Sequence, residues 1–233
     1  MKIAGSTAFV TGANRGLGLR FATALRDRGA TVYAGARDPG TVTLDGVVPV
    51  RIDVTDPASV AAAAAAAPGV DLLVNNAGTF STGPLLTGDD AGAVARELAT
   101  HVLGPLAVTR AFAPSLTAAG GAVVDVLSVL SWVTLPGTGA YSVAKAAAWA
   151  LTNGLRLELS AHGVSVTSVH VGYMDTDMAA GVDAPKTDPA QVAAAALDAV
   201  EAGEPEVLAD DVSRQVRAGL AGGVAALYPG LRA

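Results

Sequence analysis

Tyr141 and Lys145 stand four residues apart in a stretch of helical character, GAYSVAKAAAWALTNGLRLELSAHG (139–163). Residues at i and i+4 of a helix share a face one turn apart, so the phenol and the ammonium are neighbours. An ammonium beside a phenol favours tyrosinate and is expected to lower its pKa. A tyrosine tuned in that way shuttles a proton to or from a carbonyl oxygen near neutral pH. Ser128 ends the apolar run AVVDVLS (122–128), and its hydroxyl is placed to hydrogen-bond the same oxygen. Taken alone, a tyrosine four residues before a lysine also describes a surface ring beside a cation, so the elements around the pair decide between the two.

A second group of residues has the chemistry of a phosphate cradle. TGANRGLG (11–18) follows the apolar run STAFV (6–10) and opens the pattern GLGLRFATALRDRG (16–29). Gly12, Gly16 and Gly18 permit a tight turn, a close backbone approach and close helix–sheet contact. The helix N-terminus offers free N–H groups and a positive dipole end to a pyrophosphate. Asn14, Arg15 and Leu17 complete this loop. An NAD site usually carries an acid at the end of the second strand. Here TVYAGA (31–36) runs into Arg37 with no acid before it. Arg37, with Arg15, is suited to charge-assisted bonds to a 2′-phosphate, so NADP(H) is expected over NAD(H).

The elements that must position these groups alternate. Strands are expected at 6–10, 31–36, 47–54, 71–75, 122–128, 164–171 and 206–209. Helices are expected at 16–29, 57–68, 89–118 with a bend at Gly104-Pro105, 139–163, 188–203 and 210–228. Apolar strands alternating with helices predict an α/β fold, a doubly wound parallel sheet of about seven strands with helices on both faces. No linker or repeat divides residues 1–233, so one Rossmann-fold domain is expected. The carboxyl end of the fifth strand, where Ser128 lies, is where such sheets bind ligands.

Composition narrows the functional classes. The chain has 233 residues, a net charge of -6, 51% apolar residues and no Cys. The acidic balance, the lack of Lys/Arg clusters and the 4% aromatic content argue against nucleic acid as a partner. The absence of Cys excludes disulfides and Cys-ligated metals, and no metal site is expected. The Ala run at 61–67 is too short to span a membrane. MKIAGSTAFVTG lacks the pattern of a signal peptide, so a cytoplasmic protein is expected.

Several pieces then fall in one order and at one set of spacings: TGANRGLG, Asp53-Val54, NNAG (75–78), Ser128, YSVAK (141–145) and VGYMDT (171–176). With them the chain resembles the short-chain dehydrogenase/reductase family over nearly its whole length, and within it NADP-preferring carbonyl reductases. The resemblance implies Tyr141 as general acid/base. It implies that Lys145 binds the nicotinamide ribose and lowers the tyrosine pKa, and that Ser128 orients the substrate carbonyl. It further implies that Asp53 and Val54 contact the adenine. Asn75, Ala77 and Gly78 would support the cofactor near its ribose. Thr176, with Gly172, would hold the carboxamide end of the nicotinamide. The partners implied are a small carbonyl or alcohol substrate and further copies of the chain, as a homodimer or homotetramer built through the two long helices.

Three departures from the family pattern stand out. Leu127 replaces a first serine, but Ser128 keeps the usual thirteen-residue separation from Tyr141. Val171 replaces a proline and removes a φ restraint. His101 replaces the asparagine of the N-x-x-G motif, whose glycine survives as Gly104. His101 either leaves the family's proton relay in place, or adds an exchangeable imidazole, or marks an impaired relay. The functions that follow are an NADPH-dependent reductase of a hydrophobic ketone or aldehyde (or the reverse alcohol oxidation), a non-reductive isomerase, dehydratase or cyclase on the same fold, or a dinucleotide-binding scaffold. The apolar segment VLSWVTLPGTGA (129–140) with Trp132, Thr79-Phe80 and Tyr173-Met174 is expected to line the substrate entrance. Asp175 and Asp177 read as turn residues, His162 as a helix end and His170 as structural.

Overall fold

Seven parallel strands form one sheet in the order β3-β2-β1-β4-β5-β6-β7. The structure is a computed structural model and describes residues 1–88 and 90–230. The strands are β1 (Thr7–Thr11), β2 (Thr31–Ala36), β3 (Val48–Arg51), β4 (Leu72–Asn75), β5 (Ala122–Val126), β6 (Ser165–His170) and β7 (Glu206–Leu208). The helices are α1 (Gly16–Asp27), α2 (Pro57–Ala66), α3 (Ala93–Leu98), α4 (Gly104–Ala119), α5 (Gly139–Ser160), α6 (Pro189–Ala202), α7 (Asp211–Gly219) and α8 (Gly223–Leu227). Strand order reverses between β1 and β4, which opens a crevice at their carboxyl ends, and β5 continues the same edge.

The central strands bury both faces, which is why they read as unbroken apolar runs. Val10, Val74 and Val124 sit in register across β1, β4 and β5. On one face α1 and α6 pack through Phe21, Leu25, Ala193 and Leu197. On the other, α2, α4 and α5 close over Phe9 through Val60, Phe112 and Leu155. The Ala-rich α2 is a small-faced helix with Val60 and Ala63 buried.

Four elements depart from the expectation in ways that shape the site or the chain end. The third strand stops at Arg51 rather than 54, because Asp53 turns the chain: its carboxylate accepts from the Thr55 N–H (2.9 Å) and hydroxyl (2.7 Å). The fifth stops at Val126, and Ser128 caps a 3-10 turn over Val129–Ser131. The helix expected from 89 begins at Ala93; residue 89 lies outside the described residues. Ahead of Gly104-Pro105 it widens into a π-helical turn, Ala99–Leu103, where Pro105 has no N–H to give the preceding turn. The last helix is broken in two at Gly222-Gly223, where Gly223 takes φ 65°. Among the described residues no helix is long and apolar enough to cross a membrane.

Candidate active site

The crevice widens into a cleft of about 1330 Å³ along the carboxyl ends of β1, β2, β4, β5 and β6. Every catalytic and cofactor-binding residue expected from the sequence lines it except Asn75. Asn75 is buried and its amide donates inward, to Asp125 (2.9 Å) and Thr109 (3.1 Å), so its side chain ties β4 to β5 and α4. Its neighbour Asn76, which sequence reasoning passed over, faces the glycine turn. Asn76 Nδ2 donates to the carbonyls of Thr11 (2.9 Å) and Gly12 (3.3 Å), and Thr11 Oγ1 accepts from the N–H groups of Asn76 and Ala77. The signal was available: two adjacent strands both end on polar residues.

The glycine loop is shaped for a large anionic ligand. Gly12 and Gly16 take positive φ, 67° and 54°. Helices α2, α6 and α7 each start on an Asp that accepts from their first turn, whereas α1 starts on extended Arg15 with no side-chain cap. The first N–H groups of α1 are therefore left for a ligand in the cleft. These residues fit a dinucleotide. Arg37 and Arg15 are both exposed at the cleft edge. Asp38 is spent on its own turn, accepting from Gly40 N–H (3.0 Å), and does not neutralise Arg37. Arg15 meets Asp177 at 3.3 Å, a pair between two exposed side chains across the cleft mouth.

Ser128, Tyr141 and Lys145 meet where β5 gives way to α5. Lys145 Nζ lies 5.5 Å from the Tyr141 ring centroid and donates to the Val126 carbonyl at 2.9 Å. Burial lowers the ammonium's pKa to about 8, opposed by the charges of Glu97 and Asp125. Ser128 Oγ accepts from Leu130 N–H (3.1 Å) and lies 3.4 Å from the Val171 carbonyl. The tyrosine corrects an expectation. Its phenol is held above the ordinary range, first by burial and then by the charge of Glu97, while Ser128 pulls it down. The ammonium lies over the ring of Tyr141 and is engaged by a carbonyl, so it does not set the direction here.

His101 is buried at 5% exposure and its imidazole is directed to the segment after β4. Nε2 lies 2.9 Å from the Thr79 carbonyl and 3.1 Å from Glu97 Oε2. Its ring meets Tyr141 edge-on at 5.2 Å. Burial, and then Lys145, lower its pKa, so the imidazole is neutral near neutral pH. Gly78 makes room for it: a Cβ there would sit 2.7 Å from His101 Cε1.

On the substrate side, Phe80, Leu130, Leu135, Tyr173 and Met174 line the cleft, and Lys186 brings one cation to its edge. The lid from Asp175 to Thr187 is closed at its base by bonds between Tyr173, Asp175 and Thr187. Trp132 is not in the lining. It stacks on His170 at 3.9 Å, behind Ser128, whose carbonyl lies 3.3 Å from His170 Nδ1.

That stack carries a stability prediction. His170 is fully buried, and burial lowers its pKa to about 4, partly opposed by the Ser128 carbonyl and Glu206. In the unfolded chain it titrates near ~6.5. The unfolded state therefore takes up the proton first, and stability present above ~6.5 is lost as pH falls toward about 4, by about 3 kcal/mol. Urea unfolding at neutral and acid pH should show this loss in the wild type and a loss smaller by about 3 kcal/mol in His170→Asn. Equal losses would refute it.

Residues 6–187 match the short chain dehydrogenase family. The chain belongs to the short-chain dehydrogenase/reductase family. Its seven-stranded parallel sheet with flanking helices is that family's Rossmann-like fold. A short-chain dehydrogenase from Burkholderia cenocepacia J2315, solved in complex with NADP, superposes with a TM-score of 0.95 at 41% identity, covering 100% of both chains. Carbonyl reductase (NADPH) 2 of Sus scrofa is 34% identical over 78% of this chain and 77% of its own length. The short-chain dehydrogenase ptmH of Penicillium ochrochloron is 37% identical over 73% of this chain and 66% of its own. For the short chain dehydrogenase tazN of Aspergillus terreus the match covers 44% of that protein. The chain thus spans about half to two thirds of these two fungal relatives.

Proposed function

We propose that the protein is an NADP(H)-dependent reductase of a hydrophobic ketone or aldehyde, or the reverse alcohol dehydrogenase. The observation that carries this reading is the meeting of Ser128, Tyr141 and Lys145 in the same cleft as the uncapped glycine loop. Gly12, Asn14, Gly16, Leu17, Gly18, Ala77 and Gly78 would hold the pyrophosphate and ribose side of the nucleotide. Asp53 and Val54 would meet the adenine, and Thr176 and Gly172 the nicotinamide end. NADPH, when bound, supplies the hydride. Ser128 orients the carbonyl oxygen, Tyr141 gives it a proton, and Lys145 holds the ribose. The apolar cleft wall supports an uncharged substrate. Exposed Leu103, in the turn that leads into α4, and Val143 and Leu157 on α5 support association through these two helices into a homodimer or homotetramer.

The test is NADPH consumption against a panel of ketones and aldehydes. Turnover of apolar members supports the reading. Tight NADPH binding with no consumption on any member would refute it and favour a non-reductive activity. The preference for NADP(H) has its own test, because a hydrogen bond to a charged group is worth about 1.5–3 kcal/mol. Arg37→Ala should weaken NADPH binding by roughly 10- to 100-fold in a fluorescence titration and leave NADH unchanged. An unchanged NADPH affinity would remove Arg37 from the site.

A further inference from the structure

The cleft wall made by α3 and the segment after β4 holds a buried carboxylate that the reaction described above does not use. Glu97 is 0% exposed. Its Oε1 accepts from Ser81 Oγ (2.7 Å) and Thr79 Oγ1 (3.1 Å). Its Oε2 has no partner except the His101 Nε2 at 3.1 Å. The same nitrogen faces the Thr79 carbonyl at 2.9 Å. The Thr79 N–H also approaches this nitrogen, at 3.3 Å, so Nε2 faces two acceptors and one donor, and with the imidazole neutral either tautomer leaves the charge on the carboxylate. Glu97 and His101 together then bear one net negative charge.

That charge stands beside the catalytic ring. His101 packs edge-on against Tyr141, and Lys145 approaches the same ring at 5.5 Å. The charged and titratable groups facing Tyr141 come from three sides. Lys145 lies one turn along α5, with Asp125 of β5 behind it. Ser128 comes from the turn after β5, and the Glu97–His101 pair from α3 and its π-helical turn. Arg96, next to Glu97, is 59% exposed at its side chain and is paired with Asp90 in solvent. It does not cancel the buried carboxylate. Because Glu97 is buried, its field on the site is screened less than that of a surface charge.

We propose that Glu97 is a positioning residue for Tyr141: its buried charge, set behind His101, holds the tyrosine as a phenol and biases the site toward giving a proton to a carbonyl. Carbonyl reduction consumes a phenol proton as the hydride passes from the nicotinamide to the substrate carbon. Alcohol oxidation needs a tyrosinate to take the hydroxyl proton as the hydride returns. The direction is consistent with the site: Glu97 raises the pKa of Tyr141 and of Lys145. The proposal rests on Tyr141 being the acid/base.

The experiment uses the full chain with NADP⁺ and 1-phenylethanol, reading kcat/KM for oxidation against pH. Glu97→Gln keeps the size of the side chain and an acceptor for Thr79 and Ser81. The rising alkaline limb should move to lower pH by about one unit, with NADP⁺ affinity retained. A merely structural role would lower the rate equally at every pH; an unmoved limb overturns the proposal. Should Glu97→Gln fail to fold, Glu97→Leu removes the same charge without asking for a partner, and the same two outcomes apply. A second readout needs no turnover. The tyrosinate absorbance of the NADP⁺ complex, taken as the difference from Tyr141→Phe, should titrate about one unit lower in Glu97→Gln. An unchanged midpoint overturns the proposal. Full activity in Tyr141→Phe would instead overturn the catalytic reading on which it rests.

Discussion

Tyr141→Phe will lower kcat for carbonyl reduction by about 10²- to 10⁴-fold, the range that a positioned general acid supplies. The substitution removes one oxygen and little else. The ring keeps its edge contacts with Phe80 at 5.0 Å and His101 at 5.2 Å, so the cleft wall stands. Lys145 keeps its bond to the Val126 carbonyl, which does not involve the phenol. NADPH affinity should therefore change by less than about tenfold, the worth of one neutral hydrogen bond. The loss will fall on kcat and kcat/KM together, because the missing proton is needed only in the transition state. Steady-state rates on any carbonyl that the wild type reduces decide the matter. A variant within tenfold of wild type would mean that another group supplies the proton, and His101 would be the first to examine.

The residues that do this chemistry were legible in the sequence for a physical reason. Tyr141 and Lys145 are spaced by one helical turn, and Ser128 ends a strand. Gly12, Gly16 and Gly18 sit where a strand must turn into a helix. Each signal is local, and parallel-sheet topology brings them together. Glu97 was not legible. A glutamate in AVARELAT reads as a solvated helix face, and its burial is decided by Thr79 and Ser81 on another element. Trp132 was misplaced for a related reason. An aromatic in a loop before the catalytic helix suggests a pocket, but the stack that holds it is His170 on β6. The field at Tyr141 was read from the i, i+4 lysine alone. Its actual direction depends on burial and on Glu97, neither of which spacing reveals. The break at Gly222-Gly223 was visible as a glycine pair but was overridden by the helical pattern on both sides.

Gly18→Ala will cost the cofactor site most of its affinity, and the reason is steric rather than conformational. Gly18 lies inside α1 with an ordinary helical φ, so alanine suits the backbone there and is the better helix former by about 1 kcal/mol. The added Cβ, however, would fall 2.1 Å from the Gly12 carbonyl oxygen and 2.5 Å from Asn76 Nδ2. Neither neighbour can retreat cheaply. Gly12 is fixed at φ 67° in the turn, and Asn76 is bonded to the carbonyls of Thr11 and Gly12. The first turn of α1 must move away from the sheet, carrying its free N–H groups out of register with the loop. Overpacking costs about 1–3 kcal/mol where side chains can adjust, and here backbone must adjust. The expected result is a fall in Tm together with a loss of NADPH affinity of roughly 100-fold or more. Gly154→Ala in α5 is the matched control, since nothing lies within 4 Å of its Cβ position. It should leave NADPH binding unchanged and raise stability by up to about 1 kcal/mol. Thermal unfolding and fluorescence titration of the two variants separate the close approach from a general glycine effect. Wild-type affinity and Tm in Gly18→Ala would show that the contact between α1 and the glycine turn is looser than these distances require.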